Sequence, residues 1–144
     1  YASDIVKNAK ALGAALSSEG FDVIAEERGF TESHQVLTRH GGPDSGSGMR
    51  AAQTLEDCGI ITNMNMLPGD TKAMSGPSGL RLGVPELTRV GMGVDEMQDV
   101  ARFFARALIN KEDPSTVRSE ISIFKSEFQT VRYCFEEGPA YPGI

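Results

Sequence analysis

The sequence has no tryptophan, only two cysteines and only two histidines among its 144 residues. A metal site takes three or four convergent ligands, so this small supply gives no case for one. Cys58 and Cys134 have no second cysteine or histidine at ligand spacing, and the sequence does not suggest a disulfide between them. Because a free cysteine packs like a small apolar residue, we expect both to be buried thiols of a protein from a reducing compartment.

Long hydrophobic runs and an excess of positive charge are also missing. No window approaches the ~18 apolar residues that a membrane-spanning helix needs, and residues 1–20 do not have the pattern of a signal peptide. The chain has 14 Lys and Arg against 20 Asp and Glu, a formal net charge of −6, and a pI near 4.9. Without a basic patch, such a chain repels nucleic acid. We therefore expect a cytoplasmic protein with no membrane and no nucleic-acid partner.

The composition that remains is that of a globular protein with one hydrophobic core. Hydrophobic residues make up 40% and charged residues 24% of the chain, close to the averages for soluble domains. The hydrophobic patterns predict the order α-β-β-α-β-β-α-α without an internal repeat. We expect residues 1–144 to form a single α+β domain of two layers, in which a small, mainly antiparallel sheet carries helices on one face.

Apolar residues at helical spacing predict four helices. The leading helix, at residues 1–19, is followed by Gly20 as a left-handed cap, and a shorter helix begins near Met49 and ends at Gly59. Two longer stripes are Val94, Met97, Val100, Phe104 and Leu108, and then Val117, Ile121, Phe124, Phe128 and Val131. We expect all of these stripe residues to face the core.

Four strands are predicted from residues that alternate with a period of two. They lie at residues 21–25, 33–39 and 60–66 and around Arg81. This period places Asn63 and Asn65 on one face, with Thr62, Met64 and Met66 on the other. Around Arg81 it turns Leu80 and Leu82 toward the helices and the guanidinium away from them.

Three glycine-rich or proline-rich stretches are predicted to be loops. Residues 41–48 have no Walker pattern and are interpreted as a flexible connector. Residues 68–79 form a second long loop, and the tail at 138–144 is predicted to be extended.

Arg81 is the strongest candidate for a binding residue. It lies in Ser78-Gly79-Leu80-Arg81-Leu82-Gly83, an apolar strand between glycines. A guanidinium there costs desolvation free energy unless it meets an anion, and its planar fork suits a carboxylate. An arginine on a solvated sheet face fits the same pattern, so the residues alone leave both interpretations open.

The two histidines are weaker candidates. The sequence holds no nucleophile motif such as G-x-S-x-G, although spacing alone leaves a pair of histidine with serine or cysteine open. His34 alternates in phase with Val36, so we expect it to be structural; His40 follows the same strand.

Five segments, in order along the chain, match one known family. They are V-K-N-A-K-A-L at 6–12, G-F-D-V-I at 20–24, S-H at 33–34, G-I-I-T-N-M-N at 59–65 and S-G-L-R-L-G at 78–83. Pro85, Thr88 and Arg89 follow the last, as in the family's S-G-I-R-x-G-T-P-A-x-T-R. The chain thus resembles the C-terminal small domain of serine hydroxymethyltransferase, a pyridoxal-phosphate enzyme of fold type I.

This resemblance implies roles for three residues. Arg81 matches the arginine that holds the α-carboxylate of the substrate serine or glycine. Asn65 matches the asparagine that hydrogen-bonds the pteridine ring of tetrahydrofolate, the co-substrate. His34 matches a position with a structural role. The implied reaction transfers a one-carbon unit between serine and tetrahydrofolate with pyridoxal phosphate as cofactor.

The resemblance also implies that part of the enzyme is missing from this chain. In the family, the lysine that bonds the cofactor and the residues around its ring and phosphate lie in the large domain. The lysines of this chain lie outside that motif: Lys7, Lys10, Lys72, Lys111 and Lys125. We therefore expect a fragment, starting at Tyr1 inside a helix, that has no catalytic or cofactor-binding residue and is inactive alone. Its partners would be its own large domain and further copies in a homodimer or tetramer.

Two departures from the family pattern keep other functions open. Residues 69–79 differ from the family's D-P-x-S-P-F-x-T-S-G, and Val84 stands where the family has threonine. One alternative is a folate-independent threonine aldolase or transaldolase. Another is a standalone α+β module that binds a small carboxylate ligand or a partner.

Overall fold

The alternation of apolar and polar residues in the strands decides which side of the sheet becomes the core. The computed structural model describes residues 1–134 and 138–141. Its helices are α1 (Ala2–Ser18), α2 (Ser47–Asp57), α3 (Pro85–Arg89), α4 (Val94–Leu108) and α5 (Pro114–Ser126). Its strands are β1 (Asp22–Val23), β2 (Gln35–Arg39), β3 (Asn63–Asn65) and β4 (Gly79–Gly83), and a 3₁₀ turn spans Glu26–Arg28.

The four strands form one sheet in the order β1-β2-β4-β3, and every neighbouring pair is antiparallel. Strand β4 lies inside the sheet, with Arg81 opposite Leu37 of β2 and Asn63 of β3. Leu80 is 0% and Leu82 is 4% exposed, whereas Arg81 is exposed. The predicted α+β class, the antiparallel sheet and the orientation of β4 are therefore confirmed.

The helices cover one face of the sheet and build the core there. Helix α1 packs on α4, β1 and β2, and α2 packs on β3 and β4. Four helices each contribute a side chain that is fully buried against Leu80 and its neighbours: Leu16, Leu55, Met97 and Val117. Burying a side chain of this size contributes about 1.5–3 kcal/mol, so this face holds the layers together.

A buried amide joins α1 to the segment that follows β4. Asn8 is 2% exposed, and its Nδ2 donates to Thr88 Oγ1 and to the carbonyl of Met92, both at 2.9 Å. Thr88 Oγ1 in turn donates to the carbonyl of Val84 at 2.9 Å. Both N–H groups of the buried amide are therefore satisfied, as burial of a polar group requires.

Some predicted boundaries need correction. Helix α3 was not expected, because a single turn starting at Pro85 is too short to show a helical stripe. Helix α2 begins at Ser47, two residues before Met49. The predicted strands at 21–25, 33–39 and 60–66 shorten to two, five and three residues, because only these parts pair in regular register with a neighbouring strand.

Three residues predicted to be buried in helical stripes differ from expectation. Val94 is 48% exposed; as the first residue of α4, its side chain projects past the helix end. Phe128 and Val131 are half-buried but lie beyond α5, which ends at Ser126. There the chain turns back, and Thr130 forms an antiparallel bridge with Pro139.

Only one of the two cysteines has the burial expected from the sequence. Cys58 is buried as expected, but Cys134 is exposed, so the expectation of two buried thiols is wrong for Cys134. The reason is that Cys134 follows the end of α5 in irregular chain and does not lie on a helical stripe.

The tail predicted at 138–144 is described only in part, because residues 142–144 lie outside the described ranges. No helix in the described ranges is long and apolar enough to cross a membrane.

We predict that Asn8→Ala lowers the free energy of unfolding by about 1–3 kcal/mol, because Thr88 Oγ1 and the Met92 carbonyl lose a buried donor. Urea denaturation of the chain measures this. Alanine favours helix more than asparagine does, so propensity works against the expected loss. Gln98→Ala, at an exposed position of α4, is the control, and equal stability of the two variants would contradict the role of Asn8.

Candidate functional site

The sheet face that points away from the helices carries the candidate side chains. Arg81 of β4 lies between Leu37 and Asn63 in one cross-strand row. In the next row, Asn65 lies opposite Gly79, about 7 Å along the strand from Asn63. The structure therefore places Arg81, Asn63 and Asn65 on one open face, as the alternation predicted.

The guanidinium of Arg81 is available to a ligand. Its side chain is exposed, and within residues 1–134 and 138–141 it forms no hydrogen bond or ion pair. Gly79 and Gly83 at the two ends of β4 carry no side chain that could cover it. Its five N–H donors thus face solvent.

Two other arginines near the sheet and helix α3 are held by carboxylates. Arg39 Nε lies 3.5 Å from Asp22 Oδ2 at the far side of the same face. Arg89 makes two hydrogen bonds to Glu86, at 2.9 and 2.8 Å, and this pairing lowers the pKa of Glu86 to about 2. Arg81, unlike these two, has no carboxylate partner among the described residues.

The amide of Asn65 is oriented by its own chain. Its Nδ2 donates to the carbonyl of Met66 at 2.8 Å, and the residue is half-buried. Its Oδ1 has no partner among the described residues. The carbonyl oxygen and one N–H therefore remain for a ligand.

Neither histidine joins this face. His34 is exposed, just before β2, and its backbone carbonyl accepts from the Val84 N–H at 3.2 Å. His40 Nε2 lies 2.8 Å from Thr38 Oγ1, and its ring packs edge-on to Phe21. Burial lowers the pKa of His40, and the charge of Asp22 partly opposes this effect. His40 thus contributes to packing, while the structural role expected for His34 stays a prediction.

Asp70, which the sequence reading did not single out, organises the loop between β3 and β4. Its Oδ2 accepts from the N–H of Leu67 at 2.8 Å and from the N–H and hydroxyl of Ser78, both at 2.9 Å. Its Oδ1 accepts from the N–H of Asp44 at 2.8 Å. The Leu67 N–H first, and then the other donors, hold the pKa of Asp70 well below its usual range.

Asp44 joins the glycine-rich loop at 41–48 to the same region. Its Oδ1 accepts from the N–H groups of Thr71 and Lys72 at 2.6 and 2.8 Å, and its Oδ2 accepts from the Thr71 hydroxyl at 2.6 Å. These bonds, led by that of the Thr71 hydroxyl, lower the pKa of Asp44. Side-chain hydrogen bonds thus tie this loop to residues 70–72, while the flexibility expected for it stays a prediction.

A close backbone approach holds the end of the same loop. The N–H of Gly48 donates to the carbonyl of Pro77 at 3.0 Å, and a Cβ atom on Gly48 would overlap the carbonyl oxygen of Gly79. Only glycine fits there. A signal for both loops was present in the sequence, since aspartate beside glycine or proline commonly captures nearby backbone N–H groups.

An apolar groove of about 470 Å³ lies beside Arg81, between the end of the sheet and helices α3, α4 and α5. Thr62 Oγ1 is buried there without a hydrogen-bond partner in the described part of the chain. The groove is lined in part by Ile60, Ile61, Thr62, Asn63, Phe103, Phe124 and Phe128.

Among the described residues, no group of histidines, cysteines and carboxylates could hold a metal ion.

Comparison with known proteins points to one family. The family model for serine hydroxymethyltransferase matches residues 1–104. The serine hydroxymethyltransferase of Thermococcus kodakarensis is 52% identical over 139 residues, covering 96% of this chain and 32% of that protein. That of Korarchaeum cryptofilum is 50% identical over 145 residues, covering 98% and 33%. The chain spans about a third of the length of these relatives.

A solved structure shares the fold. The crystal structure of L-threonine transaldolase from Pseudomonas fluorescens, in its internal aldimine state, superposes with a TM-score of 0.76 at 33% sequence identity. The match covers 88% of this chain and 28% of the transaldolase. This architecture therefore occurs as one part of a larger enzyme chain.

Proposed function

We propose that this chain, which belongs to the serine hydroxymethyltransferase family, binds the α-carboxylate of an amino-acid substrate through Arg81. The observation that carries the proposal is the exposed guanidinium of Arg81, which has no partner in the described residues. The substrate would be serine or glycine, since the relatives are named for hydroxymethyl transfer to and from serine.

The geometry of the guanidinium supports a carboxylate ligand. Its fork can donate two parallel hydrogen bonds to the two carboxylate oxygens, which a lysine cannot do. An exposed ion pair contributes only about 0–1 kcal/mol. A strong contact therefore requires that other parts of the enzyme cover the open face and exclude water from it.

The residues of this chain do not fit pyridoxal phosphate. All five lysines are exposed: Lys7, Lys10, Lys72, Lys111 and Lys125. A cofactor-bonding lysine needs an enclosed site in which the ring is held and oriented. We propose that the part of the enzyme corresponding to the other two-thirds of its relatives holds the cofactor and covers Arg81. By this proposal the chain alone is inactive, and the complete enzyme is a cytoplasmic homodimer or tetramer.

The open amide of Asn65 supports tetrahydrofolate as the co-substrate. Its free oxygen and remaining N–H offer an acceptor and a donor side by side, which suits the polar edge of a pteridine ring. The complete enzyme would then transfer a one-carbon unit between serine and tetrahydrofolate.

A second candidate is a folate-independent transaldolase or aldolase. Two observations favour it: the similarity to the solved L-threonine transaldolase, and the sequence of residues 69–79, which departs from the hydroxymethyltransferase pattern. Both candidates need the carboxylate contact of Arg81, and they differ in whether Asn65 meets folate.

We predict that Arg81→Lys in the full-length enzyme raises the KM for serine about 10- to 100-fold, because a point charge replaces two charge-assisted hydrogen bonds. Steady-state kinetics measure this. Arg28→Lys is the matched control, since the Arg28 side chain is 84% exposed and lies in the 3₁₀ turn, outside the sheet. If the serine KM of Arg81→Lys equals that of Arg28→Lys, the proposed contact between Arg81 and the substrate carboxylate is contradicted.

Asn65→Ala separates the two candidate reactions. If the enzyme uses folate, the variant loses about 1–3 kcal/mol of folate interaction, so tetrahydrofolate-dependent cleavage of serine falls while folate-independent cleavage of threonine is spared. Asn110→Ala, exposed after α4, is the control. A wild-type enzyme whose serine cleavage tetrahydrofolate does not stimulate would favour the transaldolase or aldolase instead.

The chain of residues 1–144 alone should not bind pyridoxal phosphate tightly, because its exposed lysines provide no enclosed site. Titration with the cofactor, followed by visible absorption, is expected to show no saturable band from a lysine adduct. The full-length enzyme in the same titration is the positive control. A yellow one-to-one complex of the chain would show that the cofactor site lies here after all.

A further inference from the structure

One carboxylate oxygen, Oδ2 of Asp70, links the two ends of the long loop between β3 and β4. Asn65 and Gly79 lie opposite each other where the two strands meet the loop. Just beyond this pair, Asp70 Oδ2 accepts from the Leu67 N–H on one arm and from the Ser78 N–H and hydroxyl on the other. Asp70 therefore ties together the two strand ends that carry the candidate ligands.

Ser78 is fixed on all sides. The residue is 0% exposed; its N–H and hydroxyl donate to Asp70, and its carbonyl accepts from the His40 N–H at 2.9 Å. All its hydrogen-bonding groups are thus engaged, and the start of β4 is held from both sides.

A fixed starting point matters for β4 in particular. The strand is five residues long with glycine at each end, and glycine-rich strands specify their register weakly. A slip by one residue would turn Arg81 into the core and Leu80 onto the open face. Burial of Leu80 and Leu82 opposes this slip, and the bonds of Ser78 to Asp70 set the position of the strand along its axis.

Asp44 extends the same arrangement to the neighbouring loop. Its N–H donates to Asp70 Oδ1, while its own carboxylate holds Thr71 and Lys72. Asp44 has a φ of +57°, a left-handed conformation that aspartate tolerates better than most residues.

We propose that Asp70 is a positioning residue for the proposed reaction, setting Arg81 of β4 and Asn65 of β3 at the spacing that the amino acid and its co-substrate require. The inference rests on the proposed function, since it assumes that Arg81 meets the substrate carboxylate. Asp70 itself touches no substrate and acts through the two strands.

The chemistry of Asp70 makes one substitution informative. All four groups that it binds are donors: the N–H of Asp44, the N–H of Leu67, and the N–H and hydroxyl of Ser78. In Asp70→Asn, an NH₂ that faces the Asp44 N–H would leave a carbonyl that still accepts from Leu67 and Ser78. Asp70→Ala removes both oxygens, so it breaks the link between the two strand ends in every case.

The experiment is a double-mutant cycle on the full-length holoenzyme with Asp70→Ala and Arg81→Gln. Rates are divided by the concentration of bound cofactor, so that enzyme without cofactor is not counted. Asp70→Ala is expected to raise the serine KM about tenfold or more, because small misplacements of a binding group are costly. In the Arg81→Gln background it should raise the KM no further, because the contact that it positions is already gone. Asp99→Ala, which removes a surface pair with Arg102, is the control.

The possible outcomes distinguish failure of the positioning role of Asp70 from failure of the proposed function of Arg81. Factors that multiply in the double variant, or an Asp70→Ala enzyme that loses thermal stability while its serine KM stays normal, would overturn the positioning role. An Arg81→Gln enzyme with a normal serine KM would overturn the proposed function first. If Asp70→Ala does not fold, Ser78→Ala removes one of the four donors; a rise in KM of about threefold is then expected, and an unchanged KM overturns the proposal.

Discussion

Arg81 and its neighbours Leu80 and Leu82 point to opposite faces of β4, and this opposition couples the core to the candidate site. Strand β4 pairs with β2 on one side and β3 on the other, so its two faces are fixed together. Burying Leu80 and Leu82 under the helices obliges Arg81 to point to the open face. The hydrophobic effect that builds the core thereby also presents the guanidinium, and the core and the candidate site are two sides of one strand.

How far the sequence predicts this structure depends on how local each feature is. The alternation around Arg81 and the stripes of α1 and α4 are local patterns, and they gave the sheet face and the layers correctly. The one-turn helix α3 has no periodicity to detect. The bond from Asp44 to Asp70 joins residues 26 positions apart, and a tertiary hydrogen bond of this kind leaves no periodic trace in the chain. The motif around Arg81 indicated the family, whereas the hydrophobic periodicity alone indicated only the fold class.

The open face is polar and solvated in this chain, and this decides what the chain can do by itself. Arg81 and Asn65 present donors and an acceptor without competing carboxylates beside them, whereas Arg39 and Arg89 are neutralised by their own acids. In water such groups bind small ligands weakly. By our proposal, their binding strength comes from being covered by a part of the enzyme outside this chain.

The most direct measurement is a crystal structure of the full-length holoenzyme with glycine bound. We predict that the Arg81 guanidinium donates two hydrogen bonds to the glycine carboxylate, at the N–O distances of about 2.7–2.9 Å typical of charged pairs, with Asp70 still bonded to Ser78. A glycine carboxylate held by other residues, with Arg81 still facing solvent, would contradict it.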